Sequence, residues 1–136
     1  MIQTAREVMR TEIVSIRPDA TLAEAVRLLL ENRISGLPVT DEDGILVGVI
    51  SEFALLAVTY DAESATHPVR DHMSKHVIRV HVDSPLKELA DTFILHRIRR
   101  LPVTDKGRLI GMVSRRELLR ATMEAGAPIC QAVAMA

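Results

Sequence analysis

Residues 9–56, MRTEIVSIRPDATLAEAVRLLLENRISGLPVTDEDGILVGVISEFALL, return as residues 73–119, MSKHVIRVHVDSPLKELADTFILHRIRRLPVTDKGRLIGMVSRRELL. The offset is 64 residues as far as Asp41 and Asp105, then 63 from Gly44 and Gly107 onward, so the copies differ by one turn residue. Identities include Leu37-Pro38-Val39-Thr40-Asp41 against Leu101-Pro102-Val103-Thr104-Asp105, together with Arg33/Arg97, Gly48/Gly111 and Ser51/Ser114. A repeat of about 60 residues exceeds the solenoid periods of roughly 20 to 50. It has room for a strand, a helix, a hairpin and a second helix. One copy alone has a poor ratio of volume to surface, so a chain of 136 residues reads as two copies sharing one domain.

Local signals agree within each copy. Residues 13–16 and 77–80 are β-rich. Thr21 and Glu24 have capping-box spacing, and Leu22, Val26, Leu29 and Leu30 follow on one helical face. In the second copy Ser84 is placed to cap, and Pro85 falls at the first helical position, where its missing N–H costs nothing. Both helices give out near Asn32 and His96. Leu-Pro-Val-Thr then reads as a strand whose proline implies a start or an edge. Asp43-Gly44 and Lys106-Gly107 are hairpin turns. The return strands, 45–50 and 109–113, are almost wholly apolar and read as buried. Ser51 and Ser114 each open a closing helix. The expected organisation is a first repeat at 5–57, a polar linker at 58–70, a second repeat at 71–121, and a weakly patterned tail at 122–136.

Composition narrows the function classes. The chain is 48% apolar and 26% charged, which suits a soluble globular fold. A net charge of −1, with two Phe, one Tyr and no Trp, argues against nucleic acid as a partner, although Arg97–Arg100 and Arg115–Arg116 are local basic patches. No apolar run reaches the roughly 18 residues that a membrane span needs. The start of the sequence does not read as a signal peptide, and the lone Cys130 suits a reducing compartment, so a cytoplasmic location is expected. There is no nucleophile elbow, phosphate loop or glycine-rich dinucleotide fingerprint, and no enzyme is expected. His72 and His76 are spaced i, i+4, but the residues after them read as strand and no further ligand joins them; no metal site is expected.

The repeated motifs resemble a tandem pair of CBS domains. The resemblance rests on Val8-Met9, Arg17-Pro18-Asp19-Ala20-Thr21-Leu22, Gly36-Leu37-Pro38-Val39 and residues 43–51. Their counterparts are Asp71-His72-Met73, residues 101–105 and residues 107–114. It implies an α/β (α+β) fold of two βαββα repeats about a pseudo-two-fold axis, with clefts that take AMP, ADP, ATP or S-adenosylmethionine. It also implies a regulatory role on a partner not identifiable from the sequence, and a homodimer built on the helices at Leu22, Phe53, Leu86 and Leu118. No cofactor is implied beyond the regulatory ligand.

The family's ligand motif is Gly, two apolar residues, Ser or Thr, two residues of any type, then Asp. Its second copy here is Gly111-Met112-Val113-Ser114-Arg115-Arg116-Glu117. A hydroxyl where a helix begins can meet a phosphate alongside free N–H groups, and the carboxylate three residues on can accept from ribose hydroxyls. Glu117 replaces the Asp. Ser114 and Glu117 equally suit a capping box with no ligand at all. The resemblance adds Arg99 and Arg100 as phosphate contacts, and an adenine slot from Lys75, Val77, Ile78, Leu101 and Pro102. A solvated basic stretch at a helix end is the alternative for the arginines; core packing is the alternative for the apolar residues. The weaker cleft would use Thr11, Ile13, Val14, Leu37, Pro38 and Ser51, but Ala54 stands where its carboxylate belongs, and Ser35-Gly36 stand where the second copy has Arg99-Arg100. A ligand-free interaction or dimerisation module is the competing expectation.

Overall fold

The computed structural model describes residues 3–126. Its elements run α1 (Ala5–Val8), α2 (Leu22–Asn32), β1 (Gly36–Thr40), β2 (Leu46–Ser51), α3 (Glu52–Val58), β3 (Val80–His81), α4 (Leu86–His96), β4 (Arg100–Asp105), β5 (Arg108–Ser114) and α5 (Arg115–Glu124). Short 3-10 turns at Ala62–Thr66 and Val69–Asp71 occupy the linker. Cys130 and most of the expected tail lie outside the described residues.

The chain forms two compact units that do not coincide with the two repeats. The first-repeat unit holds Val14–Val77 with Gly107–Leu109. The second-repeat unit holds residues 3–13, Ile78–Lys106 and residues 110–126. Each repeat is thus joined by the short leader that precedes the other one in sequence.

In the first-repeat unit, β1 and β2 pair antiparallel, with Leu37 opposite Ile50 and Pro38 opposite Val49. Val49 turns both backbone groups away from proline: its N–H donates to the Ser74 carbonyl at 2.9 Å, and its carbonyl accepts from Ser74 at 2.8 Å. Pro38 therefore sits inside the strand without leaving the β1–β2 ladder an unmet acceptor. The β-rich run 13–16 makes only an isolated parallel bridge from Ile16 to Val39, not a strand. In the second-repeat unit β3 pairs parallel with β4, and β5 completes a three-stranded sheet. Met112 on β5 exchanges both backbone bonds with Arg10, at 2.9 and 3.0 Å.

Both leaders lie against a motif glycine. An added Cβ at Gly48 would stand 2.6 Å from the Met73 sulfur and 2.9 Å from the Ser74 carbonyl; at Gly111 it would stand 2.8 Å from Met9 Cβ. Neither approach leaves room for a side chain.

Several sequence expectations change once side chains are placed. Helix α2 buries Leu22, Ala25 and Leu29, while Val26 is 37% and Leu30 74% exposed, so the apolar stripe of the sequence is wider than the face that is covered. The Thr21 hydroxyl accepts from the Glu24 N–H at 3.2 Å, but the Glu24 carboxylate faces Arg27, and only half of that capping box forms. Pro85 occupies the N-cap rather than the first turn of α4, and Ser84 Oγ accepts from the His81 N–H instead of capping. The return strands are only partly buried, β2 alternating along its length and β5 burying Gly111–Val113.

Helices α2 and α4 end where expected, at Asn32 and His96, and close on Arg33 and Arg97, each left-handed at φ 52°. In the second hairpin Lys106 and Gly107 both have positive φ, as a type I′ turn demands. In the first, Asp41 Oδ1 accepts from the N–H groups of Asp43 and Ile45, both at 2.9 Å, an Asx turn.

The glycine seat predicts a stability effect. Gly111→Ala is expected to cost about 1–3 kcal/mol in urea unfolding, as overpacking does. Adding Met9→Ala should recover part of the loss, because the two residues share one contact. Additive losses in the double variant would show that the seat is not the constraint.

Candidate functional site

Ser114 ends β5 and caps α5. Its hydroxyl accepts from the Glu117 N–H at 3.2 Å, while its own N–H donates to Glu117 Oε1 at 2.8 Å, so the capping box that the sequence allows does form. The first turn of a ten-residue helix thus presents a hydroxyl, unpaired N–H groups and the positive end of the helix dipole at one place.

An open recess of about 600 Å³ lies there, lined by Arg99, Ser114, Arg115, Arg116 and Leu119. Two of the sequence-derived residues, Arg99 and Ser114, are brought together in it. Arg100 is half-buried at the first position of β4, and Ile78 is half-buried against the core of the same unit. Leu101 and Pro102 are buried, Leu101 completely. Lys75 and Val77 belong to the first-repeat unit. Arg115 and Arg116 were not singled out for this site from sequence, because they occupy the two motif positions that accept any residue; their doubled charge was the available signal.

Glu117 is held from two sides. Arg10, on the leader that bridges to Met112, donates from Nε to Glu117 Oε2. Burial pushes the Glu117 carboxyl up, but the Ser114 N–H, the Ser114 hydroxyl and the Arg10 guanidinium outweigh it, and the group sits below its ordinary value. Arg10 lies too far upstream in sequence for motif reading to pair it with Glu117.

The first-repeat unit is different in kind. Thr11 and Ile13 group with the other unit, whereas Val14, Leu37, Pro38 and Ser51 remain in this one. Leu37 and Pro38 are buried, and Ser51 Oγ accepts from the Ala54 N–H at 3.3 Å with no carboxylate to close the box. A recess of about 350 Å³ lies elsewhere, lined by Ser15, Ile16, Arg17, Asp19, Ala20, Glu24 and Leu28. Among the described residues no cluster of three His, Cys, Asp or Glu could hold a metal ion. No helix in that range is long and apolar enough to cross a membrane.

A profile of the CBS domain matches the sequence twice, at residues 5–60 and 69–124. The chain belongs to the CBS-domain family. It is 33% identical over 120 residues to an inosine-5′-monophosphate dehydrogenase of Methanocaldococcus jannaschii, a match that covers 88% of this chain but 23% of the dehydrogenase. It is 26% identical over 114 residues to the CBS domain-containing protein YhcV of Bacillus subtilis, covering 83% of this chain and 81% of YhcV. Among solved structures it resembles the CBS-pair protein CBSX2 of Arabidopsis thaliana, with TM-score 0.82, 29% identity, and 92% and 97% of the two chains covered. It also resembles CBSX2 in complex with AMP, with TM-score 0.79, 30% identity and coverage of 90% and 97%.

The Glu117 network gives a pH prediction. A carboxyl whose folded value is depressed adds stability that is present above its unfolded value and is lost as pH falls through the folded one. The stability difference between the wild type and Glu117→Gln, from urea melts between about pH 7 and pH 3, should therefore be largest near neutrality and shrink in acid. Its size should be at most about 1 kcal/mol, because Gln keeps an acceptor for the Ser114 N–H and the partly exposed ion pair adds little. A difference that does not change with pH would contradict the charged network.

Proposed function

We propose that this chain is a regulatory CBS module that takes a phosphorylated adenosyl ligand at the start of α5 and transmits its occupancy to a partner protein. The observation that carries this reading is the convergence of Arg99, Arg115 and Arg116 with the Ser114 hydroxyl around one recess at a helix N-terminus. Guanidinium forks and free N–H groups are the donors that phosphate oxygens take. The similarity to CBSX2 in complex with AMP, at 30% identity, supports adenosine as the remainder of the ligand. Arg100 and Ile78 border this region in the same unit and are proposed as further contacts, and Glu117 as the ribose acceptor once it leaves its cap. Thr11 and Ile13 join them through the leader. The first-repeat counterpart has neither arginine pair nor carboxylate, and is proposed to stay empty of such ligands. Occupancy regulates a partner only if the ligand prefers one conformation of the module over another.

A second reading has its own observation. Large apolar side chains stand exposed on four helices: Leu30 on α2, Phe53 and Leu56 on α3, Ile94 and Leu95 on α4, and Leu119 and Met123 on α5. They suit the homodimer that the resemblance implies, and a module devoted to assembly would need nothing more.

Thermal melts separate the readings. AMP, ADP or ATP at 100 times its dissociation constant should add about 2.7 kcal/mol to the native state, a rise of roughly 5 to 15 °C for a chain of this size. Arg99→Ala should abolish most of that rise. No rise with any adenosyl compound, in protein freed of copurified nucleotide, would favour the assembly module.

A further inference from the structure

The recess at the start of α5 is positive on every charged side. Arg99 enters from the residue before β4, Arg115 and Arg116 are the first two residues of α5, and no carboxylate is among the lining residues. Among the described residues none of these three arginines forms a salt bridge. The acidic residue of the same helical turn, Glu117, is already matched by Arg10 and by the Ser114 N–H. Three arginines thus line one recess, and among the described residues no carboxylate pairs with any of them.

We infer that this recess selects a nucleoside di- or triphosphate over a monophosphate, and disfavours S-adenosylmethionine. The inference rests on the adenosyl reading above and names the ligand class within it. Each arginine presents a planar fork that is filled by two oxygens of one anionic group. A single terminal phosphoryl group carries about two negative charges at neutral pH, fewer than the three cations that line the recess. A second or third phosphoryl group supplies the remainder and brings charge that matches three cations. S-adenosylmethionine places a sulfonium and an ammonium against a single carboxylate, so its net charge has the sign of the recess. The volume, about 600 Å³, is within the range of about 300–1,000 Å³ of small-molecule sites. Inorganic polyphosphate shares the anionic chemistry, and the test separates it from the nucleotide.

The test is calorimetric titration of the intact chain at low and at raised salt with ATP, ADP, AMP, S-adenosylmethionine and inorganic tripolyphosphate. Wild type is compared with Arg99→Ala and Arg116→Ala, both exposed positions, with the melting of each variant checked. ADP or ATP should bind at least about tenfold tighter than AMP, with S-adenosylmethionine weakest. The preference should fall as salt screens it, and each variant should bring ADP and AMP to within about threefold. AMP binding as tightly as ADP and ATP, S-adenosylmethionine binding as tightly as ADP, or a preference untouched by both variants would overturn the inference while the adenosyl reading stood. Binding of tripolyphosphate alone, lost in the arginine variants, would keep the polyanion recess and sink the adenosyl reading. Failure of every anion to bind would overturn both.

Discussion

In each unit a methionine packs against a motif glycine. Met9 covers Gly111 and Met73 covers Gly48, at separations that admit no Cβ. These contacts bring in the leader as an added β-bridge, Arg10 to Met112 in one unit and Ser74 to Val49 in the other. The bridge supplies backbone partners on the strand that faces the Leu-Pro-Val-Thr sequence, where proline has no N–H to give. It also fixes the position of β5, and Ser114 follows Gly111 by three residues along that strand. The place where α5 begins, and with it the recess, therefore follows from the seat. So does the ion pair of Glu117, because the residue after Met9 is the arginine that pairs with it.

On this shared frame the two copies carry opposite electrostatics. Ser51 is followed by Glu52 and Phe53, and Ser114 by Arg115 and Arg116. Ser35 and Gly36 precede the first Leu-Pro-Val-Thr, and Arg99 and Arg100 the second. Ala54 leaves the first cap one-sided, whereas Glu117 closes the second. The helix-capping serine is kept in both copies while the charge around it is not, and that difference is what the proposed anion site rests on.

The helix ends at Asn32 and His96, the turn glycines and the caps at Ser51 and Ser114 were legible in the sequence, because each is set by neighbours a few residues away. The exchange of leaders was not. Met9 and Gly111 lie at opposite ends of the chain, and no periodicity joins them. The outward turn of Val26 and Leu30 was hidden for a related reason: hydrophobic spacing marks an apolar face but not how much of it a neighbour covers. In the site, Ser114 and Arg99 could be read from motif position. Arg115 and Arg116 stood in positions where the motif is silent, and the burial of Leu101 and Pro102 follows from the strand's place in the core.

The central claim is that one copy holds an anion site and the other does not. Amide chemical shifts of the isotope-labelled chain, followed through a titration with ADP, test it most directly. The account predicts saturable shifts at Arg99 and at Ser114, Arg115 and Arg116, with Ser51 and Ala54 unmoved. Shifts centred on residues 51–54, or equal at the two helix starts, would contradict it.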